Sequence, residues 1–72
     1  MVYIIIIEII TEIKRNEILT EVYSNKQEAK LTYNVIVKSL NKDKYFNFDN
    51  QSINTSFVKS IRLLEREIIC QR

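Results

Sequence analysis

Two carboxylates near the N-terminus are the first residues of this chain whose types and spacing could support catalysis. Glu8 and Glu12 lie four residues apart in an isoleucine-rich segment, and paired carboxylates perform the acid–base chemistry of glycosidases. In an extended strand, four residues span about 13 Å, which exceeds the separation of the two carboxyl groups in those enzymes. We therefore interpret Glu8 and Glu12 as the solvated end of a partly covered strand face.

The only thiol is the other reactive candidate. Cys70 is the single cysteine and the chain contains no histidine, so neither an intrachain disulfide nor a zinc site with four nitrogen or sulfur ligands can form. Arg66 and Arg72 would favour a thiolate at Cys70, but a lone cysteine near a chain end is more often incidental. We expect no catalytic residue, no metal and no cofactor, and hence no enzyme.

A third candidate segment, residues 42–48, interleaves lysines with aromatic side chains. Such interleaving is typical of surfaces that stack on single-stranded nucleic acid, whereas the simpler interpretation is a flap of rings that closes a helix onto a sheet. Irregular segments on a rigid scaffold also concentrate recognition residues. We therefore predict an exposed partner-binding segment that consists of Lys42, Lys44, Tyr45, Phe46 and Phe48.

Composition and length narrow the class of protein. The chain has 72 residues, of which 46% are hydrophobic and 28% are charged, so we expect one folded domain over residues 1–72. Its formal net charge of +2 comes from scattered basic residues without a run of like charge, which argues against a clustered nucleic-acid surface. The apolar N-terminal run lacks a basic flank and a small-residue cleavage site and is too short to span a membrane. We expect a cytoplasmic protein.

The N-terminal segment carries more β-branched apolar side chains than one face of a strand needs. Because side chains alternate between two faces, a half-buried strand should alternate apolar and polar residues. In residues 1–13, one face would hold Tyr3, Ile5, Ile7, Ile9, Thr11 and Ile13. The other face would hold Val2, Ile4, Ile6 and Ile10, interrupted by Glu8 and Glu12.

A strand that is apolar on both faces needs a cover on each, and a chain this short supplies one. Covering Ile4, Ile6 and Ile10 would remove on the order of 300 Å² of apolar surface from water, worth several kcal/mol at about 25 cal/mol per Å². Soluble monomers rarely leave such a patch exposed. We therefore predict an oligomer interface made of Val2, Ile4, Ile6 and Ile10. The alternative is a second, C-terminal helix that covers this face within one chain.

A hairpin and a helix are predicted to follow the first strand. Asn16 is the expected pivot of the loop at residues 14–17, because asparagine tolerates a left-handed backbone, and residues 18–23 form the second strand. Ser24 and Gln27 have the spacing of a capping box, which predicts a helix that begins after Ser24 and ends near Asn41. Its apolar stripe has spacings of four, three and four and consists of Ala29, Tyr33, Ile36 and Leu40.

The C-terminal segment, residues 57–69, fits neither a helical nor a strand period cleanly. The long first strand has one hairpin partner and needs a second for its other edge, which favours a strand here. We therefore predict an α+β fold of order ββαβ, with a three-stranded antiparallel sheet in the order 2-1-3 and one helix on its Tyr3, Ile5, Ile7 and Ile9 face.

The strand hairpin followed by the sequence VYSNKQEA, residues 22–29, resembles the strand-to-helix junction of small ββαβ proteins from phages and mobile elements. Anti-CRISPR and other anti-defence inhibitors are among these proteins. The resemblance covers residues 1–41 and implies a protein that binds and inhibits a host protein. It offers no catalytic residues to transfer. We predict a homodimeric inhibitor that sequesters a host protein, with a small nucleic-acid-associated regulator that uses Lys42, Lys44 and the neighbouring rings as the alternative.

Overall fold

A computed structural model describes residues 1–67 of the chain as an α+β domain. Its elements in chain order are β1 (Val2–Ile10), β2 (Asn16–Tyr23), α1 (Lys26–Lys42), β3 (Tyr45–Phe48), β4 (Gln51–Asn54), a 3-10 turn (Thr55–Phe57) and β5 (Val58–Arg66). One sheet has three antiparallel strands in the order β2-β1-β5, and β3 and β4 form a separate two-stranded sheet. The α+β class and the predicted sheet order are confirmed. The ββαβ pattern is extended by the β3–β4 hairpin, which the sequence did not indicate.

The first strand is the centre of the larger sheet. Along β2 it pairs from Tyr3 opposite Tyr23 to Ile10 opposite Asn16. Along β5 it pairs over nearly its whole length, so both of its edges are satisfied within the chain. The C-terminal segment is therefore a strand over 58–66, and the alternative of a helix that covers the sheet is wrong for these residues. Ile68, Ile69 and Cys70 lie outside the described residues.

The core lies between the odd-numbered face of β1 and a cover made of α1 and the β3–β4 hairpin. Ile5 and Ile7 have no solvent exposure, and Phe48 is 2% exposed. The remaining buried members of this cluster are Ile9, Leu19, Ile36, Phe46 and Ile53. Tyr3, Ile5, Ile7 and Ile9 thus face the helix side of the sheet, although Tyr3 is only half-buried.

The β1–β2 turn differs from its prediction. The strand ends at Ile10, and Asn16 is the first residue of β2, not the pivot of the loop. The left-handed position is Lys14, with φ of 60°, because the turn closes on Thr11. The Lys14 amide donates to the Thr11 carbonyl at 2.8 Å, and the Thr11 amide donates to the Arg15 carbonyl at 2.9 Å. Ile13 lies in this turn with 76% exposure, so its predicted place on the core face is wrong.

The helix is capped by Asn25 and not by Ser24. The Asn25 backbone is extended, with φ of −110° and ψ of 122°, as is usual at an N-cap. Its Oδ1 accepts hydrogen bonds from the amides of Gln27 at 2.8 Å and Glu28 at 3.1 Å. Ser24 stands one residue too early to reach these amides. At the other end the helix continues through Asn41 to Lys42, one residue beyond its predicted end.

This cap yields a prediction about stability. Replacing Asn25 by alanine leaves two amides of the first turn without their side-chain acceptor, so it should cost about 1 kcal/mol of unfolding free energy. In a domain of this size the melting temperature should fall by roughly 4–8 °C. Ser24→Ala is the matched control and should melt like the wild-type protein in circular dichroism. The opposite ranking of the two variants would place the start of the helix at Ser24.

The β3–β4 hairpin turns without glycine. Asp49 and Asn50 occupy its two-residue turn with φ of 52° and 57°, the left-handed conformation that such turns require and that Asn and Asp tolerate best after glycine. The base of the hairpin is held by Thr55, whose hydroxyl donates to the Asp43 and Lys44 carbonyls at 2.8 and 3.1 Å. The hairpin was missed because Ile53 is the only apolar residue in 51–56.

Candidate binding surface

The structure divides the predicted partner-binding segment between the core and the surface. Alternation along β3 directs Phe46 and Phe48 to the same side, where they are 8% and 2% exposed. Both rings belong to the hydrophobic core. The expectation that they are exposed anchors for a partner is therefore wrong, and they act as the flap that closes the helix onto the sheet.

The other three residues of that segment remain on the surface. Tyr45 is 53% exposed, and Lys42 and Lys44 are exposed at the end of α1 and just after it. The Lys44 ammonium lies 5.8 Å from the centroid of the Tyr45 ring, within range of a cation–π contact. The predicted surface of interleaved bases and rings thus reduces to one ring and two lysines.

The two N-terminal carboxylates do not form a pair. Glu12 lies exposed in the β1–β2 turn, whereas Glu8 is on β1 and half-buried. Glu8 has partners on β5 instead: its Oε2 lies 3.9 Å from the Lys59 ammonium, and its Oε1 lies 3.5 Å from the Ser60 hydroxyl. This arrangement supports the interpretation of Glu8 as a surface residue of the sheet.

A polar cluster joins β2 to the turn of the β3–β4 hairpin. One oxygen of the Glu21 carboxylate accepts from the Tyr23 hydroxyl. The other, Oε2, accepts from the Asp49 amide at 2.7 Å. Glu21 therefore connects two parts of the chain that are far apart in sequence. Burial of the Tyr23 ring and, next, the hydrogen bond to Glu21 raise the pKa of the Tyr23 phenol above its ordinary value.

The raised pKa of Tyr23 predicts a loss of stability at high pH. The folded state favours the neutral phenol, so its contribution is complete below the unfolded pKa of about 10 and is lost as the pH rises through the higher folded pKa. Unfolding free energy measured by denaturant titration should fall in this alkaline range, and Tyr23→Phe should reduce the fall. An identical alkaline loss in wild type and variant would contradict this role.

The face of the larger sheet that is turned away from the helix is the main candidate surface, and we call it the open face. On β1 it comprises Val2, Ile4, Ile6, Glu8 and Ile10. The residues that pair with these across the sheet share the same face. They are Asn16, Ile18, Thr20 and Val22 of β2 and Ser60, Arg62, Leu64 and Arg66 of β5. Ile4 lies between Val22 and Leu64, so apolar side chains continue across all three strands.

The open face is apolar at its centre and exposed to solvent. Ile18 and Val22 are 65% and 62% exposed, and the residues of β1 on this face are half-buried by their neighbours. The helix and the β3–β4 hairpin both pack on the opposite face. The four predicted interface residues, Val2, Ile4, Ile6 and Ile10, all lie on the open face, so the structure brings them together. Whether they form an oligomer interface stays a prediction.

The part of this surface that β2 and β5 contribute was not predicted from the sequence. Alternation places Ile18 and Val22 on the same side of β2, but the sequence does not show which side the helix covers. Leu64 lies in the segment 57–69, which fits neither a helical nor a strand period cleanly. The register with β1 supplies the missing information, because each of these residues pairs with an open-face residue of β1.

Over the described part of the chain there is no cluster of three or more His, Cys, Asp or Glu side chains suited to a metal ion. The single α-helix among residues 1–67 is not long and apolar enough to cross a membrane. Comparisons with known protein families, with curated proteins and with solved structures found no match to this chain.

Proposed function

We propose that this protein is a non-enzymatic protein-binding domain that uses the open face as its binding surface and forms a homodimer through it. The observation that carries the proposal is the apolar patch on this face. Val22, Ile4 and Leu64 are adjacent across the three strands, and Ile18 and Val22 are largely exposed at the edge. Soluble monomers rarely expose a contiguous apolar patch of this kind unless it serves binding.

The dimensions of the open face suit a small interface. Three strands about 4.8 Å apart and eight or nine residues long at roughly 3.3 Å per residue cover about 14 Å by 27 Å. This planar footprint is about 400 Å², and protruding side chains add to the area. It lies below the roughly 800 Å² that each partner buries in a standard interface. We therefore expect self-association with a dissociation constant in the micromolar range.

A second copy fits the composition of the face. Homodimer interfaces have an apolar centre and a polar rim, and here Ile4 and Ile6 are central while Asn16, Ser60 and Arg66 lie toward the edges. A domain of this length also buries only about 60% of the surface that its unfolded chain exposes. Covering more of that surface in a dimer therefore adds proportionally more stability than it would in a large domain.

The absence of catalysis belongs to the same proposal. Of the two candidate carboxylates, Glu8 is engaged by Lys59 and Ser60, and Glu12 lies in the β1–β2 turn. Neither is arranged with the other as the two carboxylates of a glycosidase are, which flank one glycosidic bond.

The inhibition of a host protein remains a proposal that rests on the resemblance of residues 1–41 to small anti-defence proteins. After dimerisation through the open face, the outer edge of β2 is the surface best suited to such a partner. Its segment 18–23 contains no proline and could accept a partner strand by main-chain hydrogen bonds. Cytoplasmic location stays a prediction as well.

Nucleic-acid binding is the second candidate, supported by the contact between the Lys44 ammonium and the exposed Tyr45 ring. A single stacking ring and two lysines make this the weaker candidate, because single-strand binding surfaces usually combine several rings with a basic groove. Retention on a heparin column at low salt that falls steeply with salt would favour it. Tyr45→Ala should then reduce retention.

The dimer is tested by measuring the mass of the wild-type protein in solution. Light scattering and sedimentation velocity over about 1–200 µM protein should show a transition from the 8.6 kDa chain to twice that mass. Circular dichroism over the same samples should show a folded protein throughout. A folded chain of 8.6 kDa at every concentration would overturn the proposal.

A further inference from the structure

We propose that the second copy lies antiparallel on the open face, related by a two-fold axis that crosses β1 between Ile6 and Glu8, so that Glu8 of each copy pairs with Arg62 of the other. The inference rests on the proposed function, because it specifies how the two open faces meet. The charges on the face carry it.

Charge on the open face is distributed unequally among the strands. The central strand, β1, carries one carboxylate, Glu8. Two guanidinium groups, Arg62 and Arg66, lie on β5. The residues that β2 contributes to this face are uncharged: Asn16, Ile18, Thr20 and Val22. Any arrangement of two identical faces must place these charges where they attract or repel one another.

A two-fold axis along β1 gives an unfavourable arrangement. It places each residue of β1 opposite the same residue of the other copy, so Glu8 faces its own counterpart. Like charges brought together at an interface weaken association. It also turns β5 toward the other copy's β2, where Arg62 meets the neutral side chain of Thr20. Both the carboxylate and the guanidinium then lack an intermolecular counter-charge.

A two-fold axis across β1 gives a favourable arrangement. It makes the strands of the two copies antiparallel and keeps β5 over β5 of the other copy. When the axis lies between Ile6 and Glu8, each Arg62 lies over Ser60 of the other copy. Since Ser60 is the register partner of Glu8, Arg62 is then about one strand spacing, roughly 4.8 Å, to the side of that carboxylate. On β1 the same axis places Ile4 over Ile10 and Ile6 over Glu8. Apolar side chains thus meet toward both ends of the overlap. Next to the axis each Glu8 lies over Ile6 of the other copy, with Arg62 of that copy beside it.

Glu8 can accept this additional partner. Lys59 approaches its Oε2 at 3.9 Å, and Ser60 contacts its Oε1 at 3.5 Å. A carboxylate offers about four acceptor positions, enough for a bidentate guanidinium as well. Arg66 already donates to the Glu65 carbonyl at 3.3 Å and sits farther along β5, outside the overlap that this axis produces. Arg62 is therefore the guanidinium assigned to the pair.

Charge reversal tests the arrangement. Arg62→Glu brings two carboxylates together at each pair and should raise the dimer dissociation constant about tenfold or more. Glu8→Arg should do the same. An equimolar mixture of the two variants should form a heterodimer at wild-type affinity, because each pair then joins opposite charges across the interface, although each variant alone carries like charges within its own chain. Sedimentation velocity and native mass spectrometry measure both quantities.

Arg66→Glu is the matched control, since it changes the net charge by the same amount on the same strand and should leave the dissociation constant within about threefold of wild type. All variants should retain the circular dichroism of the wild-type protein. If the wild-type protein dimerises but Arg62→Glu dimerises equally well, or if the mixture is no tighter than the single variants, the antiparallel arrangement is wrong while the dimer stands. A folded, monomeric wild-type protein would instead refute the proposed function and the inference with it.

Discussion

The Ile6→Lys variant is expected to be a folded monomer at concentrations at which the wild-type protein is a dimer. Ile6 stands at the centre of the open face, between Thr20 and Arg62. In the dimer its replacement would bury a second cation beside Arg62, and the two would share a single carboxylate, Glu8 of the other copy. An incompletely neutralised buried cation costs several kcal/mol. The dissociation constant should rise by about 100-fold or more, since each 1.4 kcal/mol is a factor of ten.

In the monomer the same lysine faces solvent, so the fold should persist. Light scattering measures the mass, and circular dichroism confirms the folded state. Leu31→Lys is the matched control: it places a lysine on a side chain that is 67% exposed on α1, away from the open face, and the variant should dimerise like the wild-type protein. An Ile6→Lys protein that remains dimeric would show that the subunits meet elsewhere.

The second large effect is expected for Phe48→Ala, which should destabilise the domain by about 3–5 kcal/mol through loss of a buried ring and the cavity that remains. Phe48 is 2% exposed and packs in the core cluster. In a domain of this size, total stability amounts to only a few kcal/mol. The variant should therefore be largely unfolded near physiological temperature.

Tyr45→Ala provides the contrast, because this neighbouring ring is 53% exposed and its removal should change stability by no more than about 0.5 kcal/mol. Denaturant titration followed by circular dichroism compares the two. The milder Phe48→Leu variant keeps the measurement informative if Phe48→Ala does not fold. Wild-type stability of both Phe48 variants would place the ring outside the core and restore it as a candidate for partner binding.

Elements of the fold could be predicted from the sequence where a physical requirement allowed one arrangement of the chain. A nine-residue strand with two apolar faces needs hydrogen-bond partners on both edges, and this requirement identified the C-terminal strand even though its own periodicity was ambiguous. The same two-faced pattern identified four residues of the open face. The helix followed from its apolar spacing and from a cap signal that was only one residue out of place.

The helix cap, the first turn and the β3–β4 hairpin could not be predicted, because the local sequence pattern was weak or fitted more than one structure. Two adjacent residues, Ser24 and Asn25, are both of a type that caps helices. Only the position at which the backbone becomes helical shows that Asn25 is the cap. The left-handed position fell on Lys14 because the turn closes on Thr11, not because lysine prefers it. The β3–β4 hairpin has a single apolar residue in 51–56, too few to show a strand period. The sequence therefore left open whether Phe46 and Phe48 close the helix onto the sheet or belong to an exposed binding segment.

The position of β1 has a consequence for how the protein is made. The central strand β1 leaves the ribosome well before its partner β5, at 58–66, because β2, the helix and the β3–β4 hairpin are synthesised between them. Pairings between distant segments form slowly because a long loop must close first. During translation, the isoleucine-rich β1 therefore has one unpaired edge, which is the feature that promotes aggregation of nascent chains. Chains that end before β5 should be substrates for chaperones and proteases.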